Sequence, residues 1–135
     1  MKFEFSTNPD GSDIEFLTEK INEETTQYGK AYNFGLFLHD ENNTIIGGCN
    51  GSIIFGAIYT DQLWVDKKHR GTGLGKKIME EVHSYGKEIG CTMATLGTMS
   101  FQNAKGFYEK LGYEVDFERG GYLQGGSMII MRKNL

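Results

Sequence analysis

The sequence predicts an α/β domain with a mixed sheet. Three observations carry that expectation. Alternating apolar stretches are interleaved along the chain with stretches of helical periodicity, the pattern of a layered α/β domain. One strand runs into a glycine-rich loop that opens a long amphipathic helix. The chain has 135 residues, 39% of them hydrophobic and 13% aromatic. A chain of that size can bury roughly two thirds of its unfolded surface in one core, so residues 1–135 are expected to form one domain.

The elements follow in order. Phe3 and Phe5 alternate with polar residues, as in a short strand. Ser12 is followed three residues later by Glu15, a capping box. Apolar positions 14, 17, 21 and 28 then predict a helix over 13–27, ended near Gly29. Phe34 to His39 reads as a strand and Asp40-Glu41-Asn42-Asn43 as a turn. Thr44 to Phe55 and Ala57 to Val65 complete a three-stranded meander. Within it, Gly47, Gly48, Gly51 and Gly56 are small residues that leave room for a ligand or a bend. Leu74, Ile78, Val82, Tyr85 and Ile89 share one face of a helix over 73–89, ended by Gly90. Cys91 to Leu96 is a short buried strand. A helix over 103–111 stops at Gly112. Tyr113, Val115 and Phe117 alternate as a strand. A glycine-rich loop over 120–126 leads to a last strand from Met128 to Arg132.

Composition excludes several classes. There are 19 glycines, about twice the usual share, with one proline and no Gly-X-Y period, so the chain is neither collagen-like nor Pro-rich and disordered. The longest mostly apolar run, Ile53 to Tyr59, is far short of a bilayer span, so no membrane association is expected. The start lacks the apolar core of a secretory signal. Cys49 and Cys91 have no C-x-x-C spacing and read as reduced thiols of a cytoplasmic protein. No pair of His39, His69 and His83 has metal-ligand spacing, and no metal is expected. His69 and His83 read as surface residues. The net charge of −4 argues against general nucleic-acid binding. That charge is unevenly spread: residues 1–66 hold 11 acids and 3 bases, and residues 67–135 hold 7 acids and 11 bases. Lys67, Lys68, Arg70, Lys76 and Lys77 fall within eleven positions, either as a solvated surface or as a local anion site.

What lies between those bases favours the anion site. Gly71, Gly73 and Gly75 separate a strand from a helix start. A helix start offers free N–H groups and partial positive charge, and glycine lets a ligand approach the backbone closely. Lys76 and Lys77 oppose the helix dipole there, a conflict that a bound polyanion removes. The dinucleotide fingerprint fails at its third glycine, and the Walker loop fails at Arg70 and Lys77.

Arg70-Gly71-Thr72-Gly73-Leu74-Gly75 resembles the R/Q-x-x-G-x-G/A signature of the GNAT superfamily of acyl-CoA-dependent N-acetyltransferases. Leu63-x-Val65 precedes it, and Phe107-Tyr108-Glu109-Lys110-Leu111-Gly112-Tyr113 follows, similar to the family's F/L-Y-x-K-x-G-F/Y motif. The resemblance implies a mostly antiparallel mixed sheet of six to seven strands with three or four helices. It implies acetyl-CoA as cosubstrate, with its pyrophosphate on the backbone N–H groups of Arg70, Gly71, Thr72, Gly73, Leu74, Gly75 and Lys76. The pantetheine arm would pair with the main chain around Leu63 and Val65, and the Val65 N–H would polarise the thioester carbonyl. Tyr108 matches the family's general acid, against the plainer reading of an aromatic packed beside Phe107. Asp61 stands where the family often places a base. A carboxylate needs burial to become an efficient base, so Asp61 is either that base, a holder of the substrate ammonium, or part of a water chain; Tyr59 and His39 are weaker candidates. The family's usual asparagine before the short helix is replaced by Phe101, leaving three alternatives: Gln102 makes that contact, Asn103 makes it, or it is absent.

The implied reaction is direct transfer of acetyl to a primary amine in a ternary complex. The acidic first half predicts a cationic acceptor, such as an antibiotic, a polyamine, an amino acid derivative or a protein amine. A non-catalytic acetyl-CoA sensor is the alternative, favoured by Phe101. By analogy with the family, strand pairing through Met128 to Met131 would make a homodimer.

Overall fold

A computed structural model describes residues 1–135. Its longer elements are α1 (Gly11–Glu24), β1 (Tyr32–His39), β2 (Ile45–Ile54), β3 (Ala57–Val65), α2 (Leu74–Glu88), β4 (Met93–Met99), α3 (Lys105–Lys110), β5 (Glu114–Arg119) and β6 (Met128–Asn134). The six strands form one sheet in the order β1-β2-β3-β4-β6-β5. Only β3 and β4 run parallel; every other neighbouring pair is antiparallel. The mixed, mostly antiparallel α/β architecture expected from the sequence is therefore present, with six strands and three α-helices.

The core lies between α2, α3 and one face of the sheet. Ile58, Ile78, Met79, Leu96 and Met131 are fully buried there with Cys49. Each such side chain contributes roughly 1.5–3 kcal/mol of burial. On β2 the odd positions Cys49, Gly51 and Ile53 face this core, while the even positions are half-buried on the other face.

Several expectations need correction. Phe3 and Phe5 form no strand; both are more than nine-tenths exposed. Two alternating apolar residues do not make a strand without a partner edge. Helix α1 starts before Ser12, because Asp10 is the cap: its Oδ1 accepts from the Ser12 N–H at 2.9 Å and from the Ser12 hydroxyl at 2.8 Å. The helix ends at Glu24 and a single 3-10 turn, Thr26–Tyr28, carries the chain to Gly29. The strand expected from Cys91 starts instead at Met93. Cys91 closes α2, donating its N–H to Gly86 O at 2.8 Å.

Helix α2 is rotated from its predicted face. It buries Ile78, Met79, Val82, His83 and Gly86, while Tyr85 and Ile89 are 39% and 38% exposed. Gly86 explains this: a Cβ there would lie 2.9 Å from Ile58 Cγ2, so the glycine lets the helix settle onto the sheet. The glycines of β2 likewise admit neighbouring backbone and not a ligand. A Cβ on Gly51 would overlap Tyr59 O, and one on Gly48 would lie 2.8 Å from Leu36 O. Strand β6, with Met128 to Met131, is paired on both sides. It is not an edge and cannot join two copies by strand addition. No helix is long and apolar enough to cross a membrane.

Candidate active site

The parallel pair sets the site. β3 and β4 pair only from Ala57↔Met93 to Thr60↔Leu96. Both strands continue beyond that point, to Val65 and Met99, but apart. A cleft of about 960 Å³ opens between them. Its walls include Leu63, Trp64 and Val65 on one side and Gly97 and Thr98 on the other.

The direction of the β3 amides follows from the ladder. Val65 lies opposite Gly47, and the Asp66 N–H donates to Ile46 O at 2.8 Å. Antiparallel pairing alternates, so Trp64 also bonds to β2, while Leu63 and Val65 turn their N–H and C=O groups toward the cleft. A bulge marks the inner end. Asn50 pairs with Gln62 and Gly51 with Thr60, leaving Asp61 without a partner. The Asn50 side chain supports the bulge by accepting from the Gln62 N–H at 3.1 Å.

The mouth of the cleft is the glycine loop. Gly71 and Gly73 have φ of 77° and 84°, backbone that favours glycine, and a Cβ on either would meet nothing within 4 Å. Gly73 caps α2 with no side-chain hydrogen bond, so the first N–H groups of the helix are free to face a ligand. Thr72 donates its hydroxyl to His69 O at 2.6 Å, and Arg70 Nε donates to Val65 O at 2.8 Å. Arg70 thus ties the loop to the end of β3, and Leu74 and Lys76 line the cleft beside it. Gly75 has a packing role: a Cβ there would sit 3.3 Å from Phe107 Cζ.

Tyr108, on α3, closes the inner wall. It is 8% exposed, and burial pushes its hydroxyl pKa up to about 12. Its ring meets Phe107 and Tyr113 edge-on at 5.1 and 5.6 Å, and its hydroxyl makes no hydrogen bond within the chain. Ahead of α3, Gln102 Oε1 accepts from the Met99 N–H at 2.8 Å and from Thr98 Oγ1 at 3.2 Å. Gln102 is thereby used to close the end of β4. Asn103, at φ 55°, lines the cleft with its side chain unbonded. Phe101 is displaced outward, 64% exposed, and leans toward Gly126.

Asp61 is exposed and lines both the cleft and a second, polar pocket of about 360 Å³. Asn33, Ser52 and Tyr59 stand in one cross-strand row on its floor, with Asn50 beside them. Burial and the negative charge of Asp61 both raise the pKa of the Tyr59 hydroxyl. His39, on β1, lines neither pocket. Asn33, Asn50 and Ser52 were not singled out in the sequence, because only strand register places them beside Asp61.

His83 is not a surface residue. It is 7% exposed, with Nε2 at 2.7 Å from the Tyr113 hydroxyl. Burial first, then the Lys133 and Lys87 cations, push its pKa down to about 4. The unfolded imidazole takes up a proton near pH 6.5 and the folded one only near 4. This stability is fully present above pH 6.5 and is lost as pH falls to about 4, by about 3 kcal/mol. Urea melts at pH 7 and pH 4.5 should show that loss, and His83→Gln should shrink it; an equal loss in both proteins would place its source elsewhere.

An α/β sheet that parts between two parallel strands, with a glycine-rich helix start at the opening, has the layout that the resemblance to the acyl-CoA-dependent N-acetyltransferases implies. The profile of the acetyltransferase (GNAT) family matches residues 4–113, so the chain belongs to that family and is an acyltransferase. A blasticidin-S acetyltransferase from Streptomyces morookaense is 31% identical over 103 residues, covering 76% of this chain and 75% of the relative. An acetyltransferase structure from Bacillus cereus ATCC 14579 superposes with a TM-score of 0.76 at 27% identity, covering 98% of each chain. The PaiA N-acetyltransferase of Thermoplasma acidophilum, solved in complex with coenzyme A, shares the fold at 19% identity and a TM-score of 0.65, covering 96% of this chain and 81% of that one.

Proposed function

We propose that the chain transfers the acetyl group of acetyl-CoA to a primary amine by direct attack in a ternary complex. The observation that carries this reading is the parting of β3 from β4, which leaves the N–H groups of Leu63 and Val65 without a strand partner along a cleft, the Val65 carbonyl being taken by Arg70. A pantetheine arm, with its own amides, is the complementary strand. Its pyrophosphate would rest on the N–H groups between Arg70 and Lys76, over Gly71 and Gly73. Lys67, Lys68 and Lys77 are exposed near that opening and add positive charge.

The chemistry follows from the placement. The Val65 N–H would stabilise negative charge on the thioester oxygen. The neutral amine forms the new C–N bond, the C–S bond breaks, and Tyr108 donates its proton to the leaving thiolate and regains one from solvent. The amine proton leaves toward Asp61 or water. Asp61 also supplies the charge that holds a cationic acceptor in the polar pocket. The antibiotic-modifying relative supports a small polar amine as acceptor. The buried free thiols Cys49 and Cys91 fit a reducing, cytoplasmic setting.

The test is free-CoA release from acetyl-CoA across a panel of blasticidin S, polyamines, aminoglycosides and amino acid amides. Turnover above hydrolysis with at least one amine is expected. Stabilisation by acetyl-CoA without any turnover would instead mark a sensor. Asp61→Asn should raise the KM for a cationic acceptor by about 3- to 5-fold, the scale of one screened charge contact, with the KM for acetyl-CoA unchanged. An unchanged acceptor KM would remove Asp61 from the acceptor site.

A further inference from the structure

We propose that His83 and Tyr113 are a buried positioning pair that fixes the ring of Tyr108 in the cleft and couples it to the helix at the cleft's mouth. The need for such a device begins with α3, which has only six residues and no side-chain cap. A helix that short draws its stability from tertiary packing and not from its own turns. Tyr113 follows it at once, past Gly112 at φ 95°. The Tyr113 N–H donates to Tyr108 O at 3.1 Å, and the Tyr113 ring packs edge-on to the Tyr108 ring at 5.6 Å. Tyr113 is therefore joined to Tyr108 through both backbone and side chain.

The far end of Tyr113 is anchored by His83. The hydroxyl and Nε2 lie 2.7 Å apart, and the two rings are 5.4 Å apart. His83 is 7% exposed and Tyr113 is 4% exposed. It is the one side-chain hydrogen bond between α2 and residues 105–113. An apolar pair would fill the same space, but it would leave the Tyr113 ring free to slide. A hydrogen bond between two buried polar groups must be kept, because breaking it leaves both unsatisfied. The charged groups facing His83 are Lys87 on its own helix and Lys133 on β6, and both favour the neutral imidazole. Helix α2 carries Gly73 at its start and His83 in its third turn, so a rigid element runs from the glycine loop to Tyr108. The service of this pair in acyl transfer rests on the proposed function; the immobilisation of Tyr108 does not.

The experiment uses the full chain labelled with 3-fluorotyrosine. The chain has seven tyrosines, and the Tyr108 resonance in the ¹⁹F spectrum is the one missing from Tyr108→Phe. His83→Leu and Tyr113→Phe should shift or broaden that resonance, and His83→Gln, which keeps a hydrogen-bonding group, should return it. With acetyl-CoA and any amine that turns over, His83→Leu should lower kcat roughly 10-fold by misplacing the acid, leave the KM for acetyl-CoA unchanged, and have no further effect in a Tyr108→Phe background. Tyr113→Phe keeps the ring and serves if His83→Leu fails to fold. An unmoved Tyr108 resonance in a folded variant overturns the proposal. A moved resonance with a fully active Tyr108→Phe enzyme overturns the catalytic role of Tyr108 instead, and leaves the pair standing.

Discussion

Replacing Tyr108 with phenylalanine should lower kcat by about 100-fold or more, with the KM for acetyl-CoA nearly unchanged. The size of the effect comes from what the substitution removes and what it keeps. The ring stays, with its edge contacts to Phe107 and Tyr113, so the inner wall keeps its shape. Only the hydroxyl goes, and in the resting fold that hydroxyl bonds to nothing else in the chain. In the proposed reaction a thiolate would then leave the tetrahedral centre without a donor. Burial holds the phenol proton up to about pH 12, so this group causes no decline in rate between pH 7 and 10. Steady-state release of free CoA from both proteins over that range checks the claim. Equal kcat values would return Tyr108 to the role of a packed aromatic.

The second large effect concerns the glycine loop. Gly73→Asp should weaken binding of CoA by at least about 100-fold, measured by calorimetry. Gly73 sits at φ 84° as the cap of α2, in open space at the mouth of the cleft. An aspartate there introduces modest backbone strain, since Asp tolerates the left-handed region better than most residues. The larger loss is electrostatic: a carboxylate would stand among the free N–H groups on which a polyanion would rest, and would take those donors for itself. The ligand-free protein should remain folded, because the position is open and aspartate is among the residues that visit the left-handed region. Gly73→Ala separates the two causes. It adds strain without charge and should cost far less affinity. If alanine and aspartate weaken CoA equally, the backbone conformation and not the anion site is what Gly73 protects.

The legible parts of this fold share one property: their signals are contiguous in sequence. The glycine loop, the L-x-V strand before it and the tyrosine of α3 each lie within a few residues, because a helix start and a strand are local objects. The illegible parts depend on register and tilt. Which face of α2 is buried turned on Gly86, whose missing side chain admits Ile58, and no period in the helix distinguishes that face from the one bearing Tyr85 and Ile89. His83 was misplaced with it. The bulge at Asp61 exists only as a difference between two pairings, Asn50↔Gln62 and Gly51↔Thr60. The row Asn33–Ser52–Tyr59 joins residues 19 and 7 positions apart that meet only across strands. Phe3 and Phe5 show the opposite failure, a local alternation with no partner to complete it.

The gap between β3 and β4 also means that this sheet is unfinished. Where β3 and β4 part, the N–H groups of Leu63 and Val65 have no strand to pair with on that side. A ligand that fills those amides becomes a structural member, a temporary seventh strand. If acetyl-CoA binds there as proposed, each turnover would close the sheet and each product release would open it again. The durability of the protein on the bench or in a cell would track its supply of ligand as closely as its sequence.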